Sequence, residues 1–516
     1  MPLGKPHLIT FGDQHSTRHS VSNIKKLAGH TLWYGVPTIV SRFLNYLLSL
    51  LLVGIFKPDA FGVITNIYAF IPFLNIIFTY GLETAFFRFG ELKDRQQVYN
   101  TLTVSLVFST VLFTLPLLLF STQLASFIEI PQHPEYIRWA AWIVFFDTLA
   151  LLPQSLLRQQ ERPKRFAFVR VFNIVTNIAF TILFYLVAPH YQHLALFSWY
   201  DEGMGVGYVL IANLLGSLLT LLMLFPEWRQ ARLIFDAPLW KEIMRYSLPL
   251  IVVGFGGMIN EMLSRFIYLK VSPLPDVEKA HDLGVFGANY KLAVLITIFI
   301  QVFKMAAEPF FFAQSGRRDA PATYARVMKF FVMACCLMFL GVALFLDIWK
   351  WLITYKNPEY GEGILVVPIL SMASVFLGIY YNLSIWYKLT NNNWIGARIT
   401  LTGAVITIVL NMWWIPLFGY IGSAWATFVC YAYMMVASYW MGQRYYPVPY
   451  GVNRLLLYLA GSGGLYVAHR LISETLPDIW MRIGLGMILM GVYLTALLLA
   501  ERKEWEKMSL PLRRKS

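Results

Sequence analysis

Apolar residues in this chain gather in long unbroken runs, not in the one-sided stripes of a surface helix, and short polar or basic stretches separate them. Each run approaches the ~20 residues that a helix needs to cross a hydrocarbon core. The pattern predicts about 14 membrane-spanning helices, drawn at residues 31–56, 62–87, 98–120, 137–157, 171–188, 205–225, 246–270, 285–312, 327–347, 363–387, 398–416, 421–441, 454–472 and 481–500. Loops are short throughout, which leaves no room for a soluble catalytic domain. Prolines at the ends and interiors of the runs, among them Pro37, Pro72, Pro153, Pro249, Pro309, Pro368 and Pro416, are tolerated where neighbouring helices satisfy the freed carbonyls, and they mark candidate kinks.

The runs carry an internal echo. Phe61, Gly62 and Glu83 frame the second span as Phe286, Gly287 and Glu308 frame the eighth, all displaced by 225 positions, and Phe86 and Phe87 match Phe311 and Phe312 in the same register. Upstream, Ser41-Arg42-Phe43 recurs as Ser264-Arg265-Phe266 with a displacement of 223. Asn177 ahead of Gly203, Gly205 and Gly207 is echoed by Asn411 ahead of Pro416, Gly419 and Gly422. Repeats of this kind build transporters from two related bundles. The expected organisation is a tail (1–30), an N-terminal lobe of six spans (31–225), a linker (226–245), a C-terminal lobe of six spans (246–441), two further spans (442–500) and a second tail (501–516).

Composition agrees: 58% of the 516 residues are hydrophobic and 14% charged, a surface no water-soluble globule of this size would carry. The formal charge of +14 would suit nucleic acid, but its placement argues otherwise. With alternating spans, roughly 30 of the 42 basic residues fall on the side of the N-terminus and about 4 on the other. Arg158, Arg162, Lys164, Arg165 and Arg170, then Arg229, Arg232 and Lys241, then Arg317 and Arg318, and the tail Arg513-Arg514-Lys515 share that side. Both termini are therefore expected in the cytoplasm, and no nucleic-acid partner is implied. The first 30 residues lack the apolar core of a secretory signal.

Ionisable side chains at membrane depth cost at least ~2.5 kcal/mol each and mark function by default. Here they concentrate on the first hairpins of the two proposed halves: Arg42 in span 1, Glu83 closing span 2, Glu261 and Arg265 in span 7, and Lys291, Lys304 and Glu308 along span 8. Glu261 and Arg265, and again Lys304 and Glu308, are four residues apart and could neutralise each other on one helix face. Arg42 and Lys291 have no counter-ion nearby in sequence. A cavity with surplus positive charge suits an anionic group such as a phosphate or diphosphate. Arg42, Arg265, Lys291 and Lys304 are the candidate substrate-binding residues, and Glu83, Asp147, Glu261 and Glu308 the candidate ion-coupling or ion-pairing acids; Asp147 would either take up a coupling cation or pair with Arg138 or Arg170. Asn66, Asn75, Asn173, Asn177, Asn289 and Asn411 read as interhelical hydrogen-bonding residues.

Other chemistries lack their signatures. There is no Gly-x4-Gly-Lys-Ser/Thr loop and no His-Glu-x-x-His or paired-cysteine spacing, so neither nucleotide hydrolysis nor a metal site is expected. His7, His15 and His19 lie in the polar tail, and Cys335, Cys336 and Cys430 in apolar runs. The glycine clusters at 254–257 and 461–464 fit close helix packing. A membrane enzyme such as a polysaccharide polymerase, a ligase or a lipid glycosyltransferase would need a large loop of converging acids and histidines; the segment holding His190, His193, Asp201 and Glu202 is modest. No catalytic residue and no cofactor is assigned.

The run from Thr31 to Gly81, with Trp33, Gly35, the Lys57–Phe61 turn and the Tyr80-Gly81-Leu82 ending, resembles the opening of bacterial polysaccharide-biosynthesis membrane proteins, the O-antigen type of lipid-linked oligosaccharide flippase. Ser247-Leu248-Pro249, then Gly284, Phe286, Gly287, Tyr290-Lys291-Leu292 and Glu308-Pro309, are similar to the start of that family's second half, and Leu410-Asn411 through Thr427 to its junction of spans 11 and 12. The resemblance implies an all-α MATE-like fold of the MOP superfamily: two six-helix lobes around a central cavity, plus two C-terminal helices. It further implies alternating access that moves an undecaprenyl-diphosphate-linked sugar across the bacterial inner membrane, with polysaccharide polymerase machinery as a further partner. The family's cationic lumen carries over to Arg42, Arg265 and Lys291. The acidic neighbour usual beside the span 7 arginine is Ser264 here, with Glu261 a turn away. A peptidoglycan-precursor flippase and a drug/cation antiporter are the alternatives, the latter wanting net acidic groups in the cavity.

Overall fold

The computed structural model describes residues 39–502 except 316 and 391; both expected tails, apart from Glu501 and Arg502, and the first part of span 1 lie outside them. The described residues form helices and no strand. In chain order these are α1 (Ile39–Ile55), then α2 (Pro58–Thr79), α3 (Leu82–Leu92), α4 (Arg95–Leu119), α5 (Ser121–Phe127), α6 (Pro134–Gln159), α7 (Pro163–Ile182), α8 (Gly207–Met223) and α9 (Phe225–Trp228). The second half contains α10 (Ala237–Val271), α11 (Asp276–Gln314), α12 (Ala320–Ala343), α13 (Leu346–Thr354), α14 (Val366–Leu383), α15 (Ile385–Leu389), α16 (Asn393–Tyr445), α17 (Val452–Ser473) and α18 (Ile479–Ala500).

Local signals explain many of the boundaries. Proline opens α2, α6 and α7, where a missing N–H costs nothing. The Asp94 carboxylate accepts from the Gln96 and Gln97 amides at the head of α4, Asp236 from Leu239 at the head of α10, and Asp478 from Trp480 at the head of α18. The run drawn as span 2 is broken: Tyr80 and Gly81 both adopt left-handed backbone angles (φ 32° and 76°) and separate α2 from α3.

Among the described residues, ten helices are long and apolar enough to span a membrane, with α1 and α8 shorter apolar helices. Two helices differ from the spans drawn on the sequence. The 53 residues of α16 absorb two expected spans, and a straight helix of that length would reach about 80 Å. It turns back at Gly419, whose φ of 59° and ψ of −143° only glycine adopts readily, and Ser423 beyond the break donates to Asn411 before it at 2.8 Å. The 35-residue α10 begins nine positions before the expected span, inside the stretch read as a linker. The remainder of that stretch is strapped to the first half, since Glu227 is fully buried, takes two hydrogen bonds from Arg165 (2.6 and 2.9 Å), and offers its carbonyl to Tyr99.

The halves meet where α2 crosses α11. A Cβ on Gly62 would fall 1.8 Å from the Ala280 carbonyl oxygen, and one on Gly284 1.7 Å from that of Pro58, so the two backbones touch. The displacement of 225 carries Pro58 to Leu283 and Gly284 to Asp59. The contact thus maps onto itself within one residue, as a crossing on a pseudo-twofold axis must. The largest buried cluster surrounds it, drawing on Phe61, Ile64 and Ile67 of α2 and on Leu292, Ile296 and Ile300 of α11.

Candidate functional site

A hollow in two connected parts lies partly between α1, α2, α7 and α8 on one side and α10 and α11 on the other, and partly within the first half, among α1, α2, α6, α7 and α8. One, of about 260 Å³, is lined by Arg265, Tyr290 and Lys291 from the second half and by Asn45, Thr65, Tyr68 and Asn177 from the first. The other, of about 450 Å³, is lined by Arg42, Asn75, Asp147, Gln154 and Arg170. Asn45, Asn173 and Ile174 belong to both walls and join them.

Three of the four expected binding cations line this hollow. The Arg265 side chain is buried (5% exposed), its Nη1 donates to the Glu261 carbonyl at 3.0 Å, and its guanidinium lies 4.6 Å from the centre of the Tyr290 ring. The expected Glu261–Arg265 neutralisation therefore takes another form: the arginine turns back to the backbone, and no carboxylate pairs with it. Among the described residues no carboxylate stands within ion-pair distance of Arg42, Arg265 or Lys291. Glu261 lies within electrostatic reach of both Arg265 and Arg42, and Lys291 within reach of Arg265. The cations and this one acid form a single network spanning both halves, with Arg42 exposed on the rim.

The other expected residues fall elsewhere. Lys304 faces away, its ammonium 4.4 Å from the Tyr381 ring centre, beside a separate void of about 20 Å³ shared with Lys388. Glu83 pairs with Arg158 between α3 and α6, outside the hollow. The Glu308 side chain lies outside the described residues. Asp147 shares its wall with Arg170, while Arg138 turns away and donates from Nε to Ser121 at 3.1 Å. Arg170, read from the sequence as a loop cation and as a possible partner of Asp147 but not as a binding residue, lines the hollow. The signal was present: Arg170, Asn173 and Asn177 follow at i, i+3 and i+7 and share one helix face. Among the asparagines, Asn66 donates to the Ile128 carbonyl at 2.6 Å, Asn289 to that of Tyr360 at 2.8 Å, and Asn173 to the Thr220 hydroxyl at 2.9 Å. No three His, Cys, Asp or Glu side chains among the described residues group to hold a metal ion.

One mouth of the hollow is shut. At the face of the α1–α2 turn, the α2–α11 crossing is reinforced by Tyr360 and Asn357, which donate to the Phe56 carbonyl at 2.8 and 2.9 Å. The Lys270 ammonium, at the same end of α10, meets Glu129 at 2.5 Å. All of these contacts join the first half to the second.

The architecture is a known one. The chain aligns with the lipid II flippase MurJ in an inward closed conformation at a TM-score of 0.69, covering 90% of this chain and 99% of that one at 14% identity. It aligns with a multidrug resistance MATE family transporter of the MOP superfamily in its inward-facing conformation at a TM-score of 0.62, covering 80% and 97% at 15% identity. An outward-facing conformation of a transporter so described gives 0.54 at 14% identity, over 80% of this chain and 95% of that one. These likenesses establish a MurJ- and MATE-like fold. An uncharacterized membrane protein of Methanocaldococcus jannaschii is 20% identical over 436 residues, 79% of this chain and 82% of its own length. The model of the polysaccharide biosynthesis protein family matches residues 27–315, more than half of the sequence, and this multi-pass membrane protein belongs to that family.

Proposed function

We propose that the protein is a flippase that moves a lipid-diphosphate-linked oligosaccharide precursor, of the undecaprenyl type, across the bacterial cytoplasmic membrane by alternating access, for cell-surface polysaccharide synthesis. The observation that carries this reading is the set of cations lining the hollow, Arg42, Arg265 and Lys291, without a carboxylate at ion-pair distance among the described residues. Unpaired cations gathered in one hollow, with Arg265 buried, favour an anion that brings its own charge, and a diphosphate offers several oxygens to a guanidinium fork and an ammonium. The lipid tail would remain in the bilayer while the headgroup enters. Asp147 and Glu261 are the acids in a position to balance the lumen once the anion leaves, and Asp147 is the better placed to take a coupling cation. The chain acts as a transporter and not as an enzyme in this reading.

The basic bias of the sequence puts the α3–α4 turn and the termini in the cytoplasm, which makes the closed α1–α2 face the outer one.

The test is reconstitution with a fluorescent lipid-diphosphate sugar. Arg42→Ala and Lys291→Ala should each slow translocation about tenfold or more, the worth of a hydrogen bond to a charged group. Unchanged rates in both would remove this site. Faster handling of a peptidoglycan precursor, or exchange of a cationic drug for protons, would replace the substrate with one of those alternatives.

A further inference from the structure

A second polar cavity, of about 540 Å³, lies far from the central hollow, between α13 and the 3₁₀ turn Pro358–Gly363 on one side and the α17–α18 hairpin on the other. Its volume is that of a small-ligand site. Three cations, Lys350, Arg470 and Arg482, and three carboxylates, Asp347, Glu362 and Glu474, line it. The wall is held in place: His469 is buried and its Nε2 contacts the Arg482 carbonyl at 3.2 Å, while Arg482 Nε donates to the Leu476 carbonyl at 2.9 Å and its Nη1 stands 3.8 Å from Asp347. Arg470 is engaged by Glu474 at 3.1 Å. Lys350 has no carboxylate within ion-pair distance among the described residues, and Glu362, largely exposed, has only the long 3.4 Å contact with His281. The cavity thus offers one available cation and one available anion.

Its rims are apolar. On α13 and just past its end, Ile348, Trp351, Leu352 and Tyr355 are exposed, and on the hairpin Leu471, Ile479, Trp480 and Met481 are too. Aromatic and aliphatic side chains exposed at the end of membrane helices mark the depth where headgroups meet acyl chains. A ligand there would place a charged head in the cavity and tails along the rims.

We infer that this cavity binds a zwitterionic aminophospholipid of the phosphatidylethanolamine class, its phosphate on Lys350 and its primary ammonium on Glu362, with the α17–α18 hairpin as the facing wall. An anionic lipid would use only half of the site and face the available carboxylate of Glu362. A choline headgroup carries the same charges but has no N–H to donate to Glu362.

Native mass spectrometry of the full-length protein, released from nanodiscs of equal phosphatidylethanolamine, phosphatidylglycerol and phosphatidylcholine content, reads the retained lipid directly. Phosphatidylethanolamine should be retained in preference to both others, and Lys350→Gln and Glu362→Gln should each reduce its retention roughly tenfold, the worth of one charge-assisted hydrogen bond. Both positions lie at the edge of the fold, and a thermal unfolding scan separates loss of lipid from loss of structure. Soluble glycerophosphoethanolamine added in excess should displace little, because it lacks the tails. Arg42→Ala, which tests the central hollow, should leave retention unchanged, so the two sites stand or fall separately. Equal or greater retention of phosphatidylglycerol, retention unaffected by either variant, or no retained lipid would each overturn the inference.

Discussion

At the scale of single residues, the central hollow depends on what a guanidinium does that an ammonium cannot. Arg265, on the wall of the hollow, holds its guanidinium 4.6 Å from the Tyr290 ring centre and donates to the Glu261 carbonyl. Lysine would keep the charge and lose both the delocalised cation beside the ring and the paired donors. Arg265→Lys should therefore slow translocation about tenfold while leaving thermal stability near that of the parent, and a rate equal to the parent would remove Arg265 from the site. That Arg42, Arg265 and Lys291 line the hollow was legible because a charge inside an apolar run is costly wherever it sits. Azimuth was not legible. Lys304 follows Lys291 by 13 positions, which turns it by roughly 140° around α11 and onto another face. Arg170 misled in the opposite sense, because a residue near the end of a run looks like part of the neighbouring loop.

Helices and their crossings were legible as lengths and periods, and less so as breaks. The apolar runs located most helices, and the gap expected between 416 and 421 falls where α16 turns back at Gly419, yet the Tyr80-Gly81 break falls inside what reads as one span, since hydropathy records depth and not backbone direction. The glycines at the α2–α11 crossing make their own prediction. Gly284→Ala would drive a methyl into the Pro58 carbonyl, which belongs to backbone and cannot rotate away. Overpacking of this kind costs roughly 1–3 kcal/mol, and here it bears on the closed face only. The variant should populate a form open at that face, seen as faster labelling of a cysteine placed at position 357; unchanged labelling would show that the crossing does not seal it. The C-terminal hairpin is held differently. Glu501, just past α18, is taken by Lys329 of α12, by the Tyr458 hydroxyl at 2.7 Å and by Arg454 at 3.6 Å. Burial opposes its ionisation, but these partners prevail and hold its carboxyl below the ordinary glutamate value. A folded-state value below the unfolded one gives a contribution that is complete above about pH 4.3 and lost as the pH falls through the folded value. Hydrogen exchange in α17 and α18 should accelerate below about pH 4, and Glu501→Gln should remove that dependence; an unaltered profile in the variant would assign the acid sensitivity elsewhere.

For the whole molecule, the question is whether the closed face opens as a unit. The contacts that shut it, Lys270 with Glu129, Tyr360 and Asn357 with the Phe56 carbonyl, and the glycine crossing of α2 with α11, all join one half to the other. Two rigid bundles sharing an axis can exchange one closed mouth for the other only by parting all three together, because packed backbones shift between discrete arrangements and do not stretch. The Lys270–Glu129 contact is the most exposed of them and contributes little energy by itself, which makes it a suitable place to bind the halves without disturbing the core. Cysteines at positions 129 and 270, joined by a short reducible thiol cross-linker, should halt translocation, and reduction should restore it. The native cysteines Cys335, Cys336 and Cys430 are buried and should compete poorly for the reagent. With the link in place, the lumen should still accept the headgroup from the opposite face, so binding of the lipid-diphosphate sugar should persist while its appearance in the other leaflet stops. Transport at the parent rate with the cross-link intact would mean that the substrate crosses without this face parting, and rigid-body alternation would have to be abandoned for this protein.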